Sequence, residues 1–348
     1  MAQDVMTGRT GASLATSAED VDGLGVDVPA TLAWVARLAP SLPLPGQGAT
    51  ADLWGALADA AALDVGAARI LEPHADALAI LDQAAASGMD TADLRRTLRV
   101  DSRSTWGVFA AEGPGTRLVA ERREHGAWEL SGTKPWCSLA AHLSHALVTA
   151  WVGPEQRRLF AVDLRDDGVS ARPGPWVSRG LHQVVSAPVD FAHAFAVPVG
   201  APGWYQRRPG FAWGGIGVAA IWWGGARPLA DALAAAAASE RADQLAQAYA
   251  GAADAALWGA GTALAEAAAL VDAGELDDAG ARLLAARVRA VVSDAVERVL
   301  DLSDRALGPR PLTADEEHAR RVADLRVYVR QHHAERDLAR LGSMVRSS

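Results

Sequence analysis

The spacing of apolar residues predicts helices in the first part of the chain. From Pro29 to Leu38, apolar side chains recur at every third or fourth position, as on one face of an α-helix. A Pro- and Gly-rich break follows at 43–48. The same helical spacing then predicts further helices over 53–66, 67–86 and 91–98.

The pattern changes to short β-rich runs in the middle of the chain and returns to helical spacing after Gly210. Gly, Pro and Asp separate predicted strands over 107–111, 117–122, 128–130, 146–152, 159–163 and 188–191. Long Ala-rich stretches then predict helices over 226–240, 242–273, 279–304 and 316–341.

This order of elements predicts an α+β fold with a helical part on each side of a sheet. Short strands with frequent turns are typical of a small antiparallel barrel or sandwich, and the long last helices suit an antiparallel four-helix bundle. We expect a flexible arm over 1–28, an N-terminal helical domain over 29–100, a β-domain over 101–200 and a C-terminal helical bundle over 201–348.

The composition favours a globular protein with a large core and argues against nucleic-acid binding and membrane insertion. Half of the 348 residues are apolar and 22% are charged, which is enough apolar material for a large core. The net charge of −9 argues against nucleic acid as a partner. No apolar run approaches the about 18 residues of a membrane span, and the N-terminus lacks a signal-peptide pattern, so we expect a cytoplasmic protein without membrane insertion.

Cysteine and histidine usage predicts no metal site. Cys137 is the only cysteine, which excludes an internal disulfide and a thiolate metal cluster. The histidines lack the spacing of a metal-binding helix. Glu72 and His74, on a helix rich in apolar residues, are interpreted as structural contacts without a catalytic role.

The segment 128–138 carries the most specific chemical pattern. We expect a strand, a tight turn at Ser131-Gly132 and a second strand that ends in an exposed indole, Trp136, beside the hydroxyl of Ser138. A flavin ring is held by an aromatic face and a few aimed donors, which this pair provides. The alternative is that Trp136 is a core aromatic and Ser138 a turn residue.

These residues resemble a motif of the acyl-CoA dehydrogenases, of the form Trp-x-Leu-x-Gly-x-Lys-x-Trp-x-Ser/Thr, and the helix–strand–helix order is similar over nearly the whole chain. The resemblance implies FAD as cofactor, with Trp136 packed on the flavin ring and Ser138 close to its reactive N5 atom. In the family's upstream segment, Ala111 takes the place of a threonine and Thr116 offers a hydroxyl to a phosphate. The adenosine half of the site is less well matched, and Arg310 is the candidate there for a phosphate contact.

The catalytic base departs from the family pattern. Abstraction of an α-proton from an acyl thioester needs a positioned base, and the family uses a glutamate. Register places His332 at that position, with Glu335 three residues later, and the family's other base position falls near Arg207. His332 or Glu335 is therefore a candidate base, or the segment continues as a helix with a solvated, charged face.

Three functions remain open at this point. The resemblance implies a flavin-dependent α,β-dehydrogenation of an acyl thioester, with an electron-accepting flavoprotein or oxygen as the oxidant. A non-catalytic subunit of a heteromeric assembly and a flavin monooxygenase are the alternatives. The small-residue faces of the last helices predict a homo- or hetero-oligomer.

Overall fold

The computed structural model describes residues 17–18, 20–124, 126–172 and 174–347. Most of the predicted arm, 1–28, therefore lies outside the described residues. The first part of the chain is helical as predicted, and a short 3₁₀ turn follows its first helix. The helices are α1 (Val28–Leu38), α2 (Thr50–Leu63), α3 (Val65–Ala86) and α4 (Thr91–Thr97).

Aspartate side chains fix where many of the helices begin. Each accepts a hydrogen bond from a backbone N–H in the first turn and so satisfies a donor that the helix itself leaves free. Asp64, for example, accepts from the N–H of Ala67 at 2.8 Å and starts α3 immediately after α2 ends. α3, which carries several residues of the candidate site, packs against the sheet.

The middle of the chain forms a seven-stranded sheet. Its strands are β1 (Trp106–Phe109), β2 (Leu118–Arg122), β3 (Trp128–Ser138), β4 (His145–Trp151), β5 (Arg157–Asp163), β6 (Val169–Ala171) and β7 (Ser186–Val199). Pairings between β4, β2, β3, β7 and β5 return to β4, so these strands form a closed barrel. The pairs β1–β4 and β2–β4 are parallel, so the barrel is not wholly antiparallel as expected.

The predicted turn at Ser131-Gly132 is wrong, because β3 runs through it as one continuous strand. Gly132 has φ of +118° and lies at a shift of register between β3 and β7. A Cβ atom there would lie 2.1 Å from the carbonyl oxygen of Arg117. The glycine therefore permits a close approach of neighbouring strands at a bulge, not a reversal of the chain.

The last part of the chain is a helical bundle that also packs on the first helices. It contains α5 (Trp204–Arg207), α6 (Gly210–Ala237), α7 (Gln244–Ala273), α8 (Asp278–Leu307), α9 (Pro309–Ala314), α10 (Glu316–Tyr328) and α11 (Glu335–Ser347). Two of the three tryptophans of α6, Trp222 and Trp223, are fully buried. Of the described helices, none is long and apolar enough to cross a membrane.

The segment 316–341 is not one helix. Between α10 and α11 the chain forms a 3₁₀ turn at Val329–Gln331, and Ala334 adopts φ of +48°. The alternative of a continuous charged helix through His332 and Glu335 is therefore wrong, and the chain bends at the position where the resemblance expects a base.

Candidate functional site

Trp136 stands out from the barrel surface on a bulge in β3. Its backbone has φ of +59°, which is uncommon for a residue other than glycine, and its indole is 61% exposed. The pairing of β3 with β7 changes register between Lys134 and Cys137, so the extra residue turns the indole outward. The prediction of an exposed indole at this position is confirmed.

Trp136 borders two cavities. The larger, of about 280 Å³, is lined by Trp136 together with Pro114, Thr116, Trp176 and Ser186. The smaller, of about 40 Å³, is lined by Trp136, Ser138 and Arg69, with residues of β1. One aromatic ring therefore forms a wall of two adjoining spaces.

Ser138 connects the bulge to α3. Its hydroxyl lies 2.7 Å from the hydroxyl of Ser186 on β7 and accepts a hydrogen bond from Nη2 of Arg69 at 3.1 Å. The Arg69 guanidinium also lies over the ring of Tyr328, 5.6 Å from its centre. Arg69 thus joins the barrel, α3 and α10 beside the exposed indole.

A cluster of partly buried polar side chains, here called the chamber, continues from Arg69 along α3. Nη1 of Arg69 lies 3.9 Å from Oε2 of Glu72, and Asp76 follows one turn later with Arg208 at 3.5 Å. Burial raises the pKa of Glu72 to about 7, although Arg69 acts in the opposite direction. Glu72 is therefore a carboxyl group that changes its protonation state close to neutral pH.

Arg289 of α8 closes the chamber on its other side. Its guanidinium donates to the carbonyl oxygens of Gly215 at 2.8 Å and Gln331 at 2.9 Å, and lies over the ring of Trp222. Burial lowers the pKa of Arg289. The bend after α10 is thereby fixed against α8.

The buried Lys134 forms an ion pair with Glu112, whose side chain is 32% exposed. Its Nζ donates to Oε1 of Glu112 at 2.7 Å and to the Thr149 hydroxyl at 2.9 Å, and its side chain is only 1% exposed. Burial lowers the pKa of Lys134 in spite of Glu112. We infer that this only lysine of the chain supports the strand that carries Trp136.

Burial also decides the role of Cys137. It raises the pKa of the thiol to about 12, so the thiol stays protonated and is not a nucleophile. Its side chain is 1% exposed and packs inside the barrel.

Of the remaining cofactor candidates, Thr116 lines a cavity beside Trp136, whereas Ala111 and Arg310 do not. Thr116 lines the larger cavity, where its hydroxyl donates to the carbonyl oxygen of Gly113 at 2.9 Å. Ala111 is exposed and is the second residue after the end of β1. Arg310 is exposed on α9 and is not among the residues that line either cavity beside Trp136.

The two candidate bases have different surroundings. His332 is 5% exposed and follows the 3₁₀ turn, and burial lowers its pKa, with Asp337 acting in the opposite direction. Glu335 is exposed in the first turn of α11. The structure therefore brings His332, and not Glu335, close to Arg289 and the chamber.

The sequence analysis missed the role of α3. His74 is a structural contact as interpreted, since its Nδ1 accepts from the N–H of Trp106 at 3.0 Å. Glu72, however, belongs to a polar face of α3 with Arg69 and Asp76. Their spacing of three and four residues on an otherwise apolar helix is the signal that could have revealed it.

Comparison with known proteins gives a match in structure only. No family model matches the sequence, and no curated protein matches it. Among solved structures, nitrososynthase from Micromonospora carbonacea var. africana is similar with a TM-score of 0.81 and 18% identity, over 99% of both chains.

Two further solved structures are similar to this chain over nearly its whole length. FMN-bound TdsC from Paenibacillus sp. A11-2 has a TM-score of 0.76 and 19% identity, over 98% of this chain and 96% of its own. Butyryl-CoA dehydrogenase from Megasphaera elsdenii has a TM-score of 0.76 and 17% identity, over 99% of this chain and 96% of its own. These likenesses confirm the resemblance at the level of the fold: the chain has the acyl-CoA dehydrogenase fold from its first described helix to its last.

Proposed function

We propose that this protein is a flavin-dependent monooxygenase. The observation that carries the proposal is the exposed Trp136 indole on its bulge, with the Ser138 hydroxyl and a cavity of about 280 Å³ beside it. An aromatic face next to aimed polar groups suits a flavin ring. A reduced flavin supplies the electrons that activate molecular oxygen.

Each cofactor candidate has a role in this proposal. Trp136 packs against the flavin ring, and Ser138, held by Arg69 and Ser186, presents its hydroxyl to the ring edge. Ala111 offers its backbone, and Thr116 its hydroxyl, to the remainder of the cofactor. We take FMN as the form bound and FAD as the alternative, because Arg310 is exposed and does not line the cavities beside Trp136.

We favour oxygen transfer over dehydrogenation because the expected positions of the catalytic base hold no glutamate. Neither position that the resemblance gives for a catalytic glutamate holds a carboxylate, since His332 and Arg207 occupy them. Beyond Ser138, α3 carries the charged side chains of Arg69, Glu72 and Asp76, which suit a polar substrate better than an acyl chain. Two of the similar structures are named as a nitrososynthase and a dibenzothiophene monooxygenase.

Dehydrogenation of an acyl thioester is the second candidate. Its support is the likeness to butyryl-CoA dehydrogenase and the buried His332, which is neutral at pH 7 when burial lowers its pKa and so has a free nitrogen for a proton. In this reading His332 is the base, and Glu335 is not.

The proposal is tested by titrating the purified chain with FMN and with FAD, followed by absorption and fluorescence. We expect saturable binding of flavin. In one experiment, the bound flavin is reduced by light and then mixed with oxygen. In a separate experiment, the bound flavin in its oxidised state is mixed with butyryl-CoA in the absence of oxygen. Flavin reoxidation by oxygen, without bleaching by butyryl-CoA, supports the monooxygenase. Bleaching supports the dehydrogenase, and a chain that binds neither flavin is a non-catalytic subunit.

A further inference from the structure

A large cavity lies at the opposite end of β3 from Trp136. Its volume is about 580 Å³, and it is lined where β2 and β7 end and β3 and β5 begin. The lining includes Arg122 of β2, Trp128 of β3, Arg158 of β5 and Phe195 of β7. Trp128 opens β3, so along the strand it lies on the order of 25 Å from Trp136. None of these four lining residues borders a cavity beside Trp136, so this cavity is separate from the candidate functional site.

Arg158 presents hydrogen-bond donors to this cavity. Its Nε atom donates to the carbonyl oxygen of Gly200 at 2.7 Å, and its guanidinium lies over the Trp128 ring, 5.6 Å from the centre. These two contacts hold the guanidinium in place. Its two Nη atoms make no hydrogen bond within the part of the chain that the structure describes, so they remain available to a ligand.

The charge of the cavity is positive. Burial lowers the pKa of Arg158, and the nearby Arg122 lowers it further, with no described carboxylate acting in the opposite direction. The lining also contains the carboxylate of Asp93, but this group is paired with Arg96 at 3.1 Å. Two neighbouring guanidiniums without a carboxylate partner repel each other, so an anion that contacts both is stabilised.

Aromatic and apolar side chains form the rest of the wall. The Phe195 ring is 39% exposed, and Val197 and Pro198 follow it in the lining. The Trp128 ring is anchored from the other side by Phe160, with 5.3 Å between the ring centres. A cavity of this volume accommodates a small aromatic molecule, and an exposed ring beside two cations suits a ligand that joins an aromatic group to an anion.

We propose that this cavity binds an aromatic phosphate monoester. Such a phosphate carries nearly two negative charges at neutral pH, which match the two guanidiniums of Arg122 and Arg158. Its oxygens accept hydrogen bonds from the free Nη atoms of Arg158, and its aromatic group packs on Phe195. The site is a second binding site of the protein, and the inference does not rest on the proposed flavin chemistry.

The experiment measures binding of phenyl phosphate, inorganic phosphate and phenol to the chain by calorimetry at neutral pH. Phenyl phosphate should bind with one molecule per chain and more tightly than either of its parts. Arg122→Met and Arg158→Met should each weaken its binding about tenfold or more, because a charge-assisted hydrogen bond is lost. Phe195→Ala should weaken the binding of phenyl phosphate and leave that of inorganic phosphate unchanged.

Arg298→Met, which removes an exposed arginine of α8, is the matched control. It changes the net charge by the same amount and should bind phenyl phosphate as the wild type does. Arg158→Lys keeps a positive charge and should bind more tightly than Arg158→Met, and thermal unfolding of each variant shows whether its fold is intact. Arg122 is exposed, so Arg122→Met tests the site without a buried contact being lost.

Three results would overturn the inference. These are the absence of saturable phenyl phosphate binding, an equal loss of affinity in Arg298→Met, and wild-type affinity in both Arg122→Met and Arg158→Met. Trp136→Ala should leave phenyl phosphate binding unchanged, because its indole does not line this cavity. Failure of the flavin site is thereby distinguished from failure of this one.

Discussion

Nη2 of Arg69 donates a hydrogen bond to the hydroxyl of Ser138 at 3.1 Å, and this contact joins the helical part of the protein to the barrel at the candidate site. The same guanidinium faces Glu72 through its other nitrogen. One side chain therefore links the group expected at the flavin edge with the buried carboxyl.

Replacing this arginine should change the acidity of Glu72. In Arg69→Met the favourable charge beside the carboxylate is lost, so the pKa of Glu72 should rise above its value of about 7. Infrared titration of the carboxyl signal measures the shift. Arg227→Met, which removes a partly buried arginine paired with Asp59, is the matched control and should leave the titration of Glu72 in place. An unchanged or lowered pKa in Arg69→Met would contradict the arrangement described.

Trp136→Ala should weaken flavin binding about tenfold or more, because the stacked aromatic face is lost while the barrel interior is untouched. Fluorescence quenching of the flavin during titration gives the dissociation constant. Trp258→Ala removes another exposed indole, 55% exposed on α7, and should bind flavin as the wild type does. Equal weakening in both variants would mean that Trp136 has no specific role.

His74 should make the protein less stable in acid. Burial lowers its pKa from 6.5 to about 4, so the folded state binds the proton less readily than the unfolded state. The contribution to stability is complete above pH 6.5 and is lost as the pH falls towards 4, with a total of about 3 kcal/mol. Urea unfolding at several pH values measures it.

The variant His74→Asn separates this effect from other titrations. Its side-chain oxygen still offers an acceptor to the N–H of Trp106, which His74 now receives at 3.0 Å, but it does not titrate. The free energy of unfolding of the variant should depend less on pH between 6.5 and 4 than that of the wild type. The same slope in both proteins would show that another group is responsible.

Gly224→Ala should destabilise the fold by about 3 kcal/mol, because a Cβ at this position has no room. The added atom would lie 2.1 Å from the carbonyl oxygen of Ala58, so α6 and α2 would have to separate. Gly259→Ala on α7 meets no atom within 4 Å and should instead stabilise the protein by about 0.5–1 kcal/mol. Thermal unfolding of the two variants should therefore shift in opposite directions.

The order of elements and the exposed indole could be predicted from sequence because both depend on local patterns. Apolar spacing marks α1 to α4, and the motif around Lys134 and Trp136 has a recognisable form. The glycine at 132 was misread as a turn residue, since the same freedom of φ serves a turn and a bulge. The close carbonyl oxygen of Arg117 shows that Gly132 serves a bulge and not a turn, and this contact with another part of the chain is not visible in the local sequence.

The polar chamber could not be predicted, because its members are far apart in the chain. Glu72 is an ordinary helical glutamate until α8 brings Arg289 and α10 brings Tyr328 beside it. The break before α11 was also missed, since the sequence between His332 and Glu335 contains no proline or glycine to mark it. Tertiary contacts, and not local preference, end the helix there.

The closed ring of strand pairings gives β3 a hydrogen-bonded neighbour on each side, and this fixes its register. Successive side chains of a strand point to opposite faces, so a slip by one residue would turn Trp136 into the barrel and Cys137 out to solvent. The indole is now 61% exposed and the thiol is 1% exposed. Errors in barrel closure during folding would therefore expose a reactive cysteine, and labelling by a thiol reagent would count the misregistered molecules.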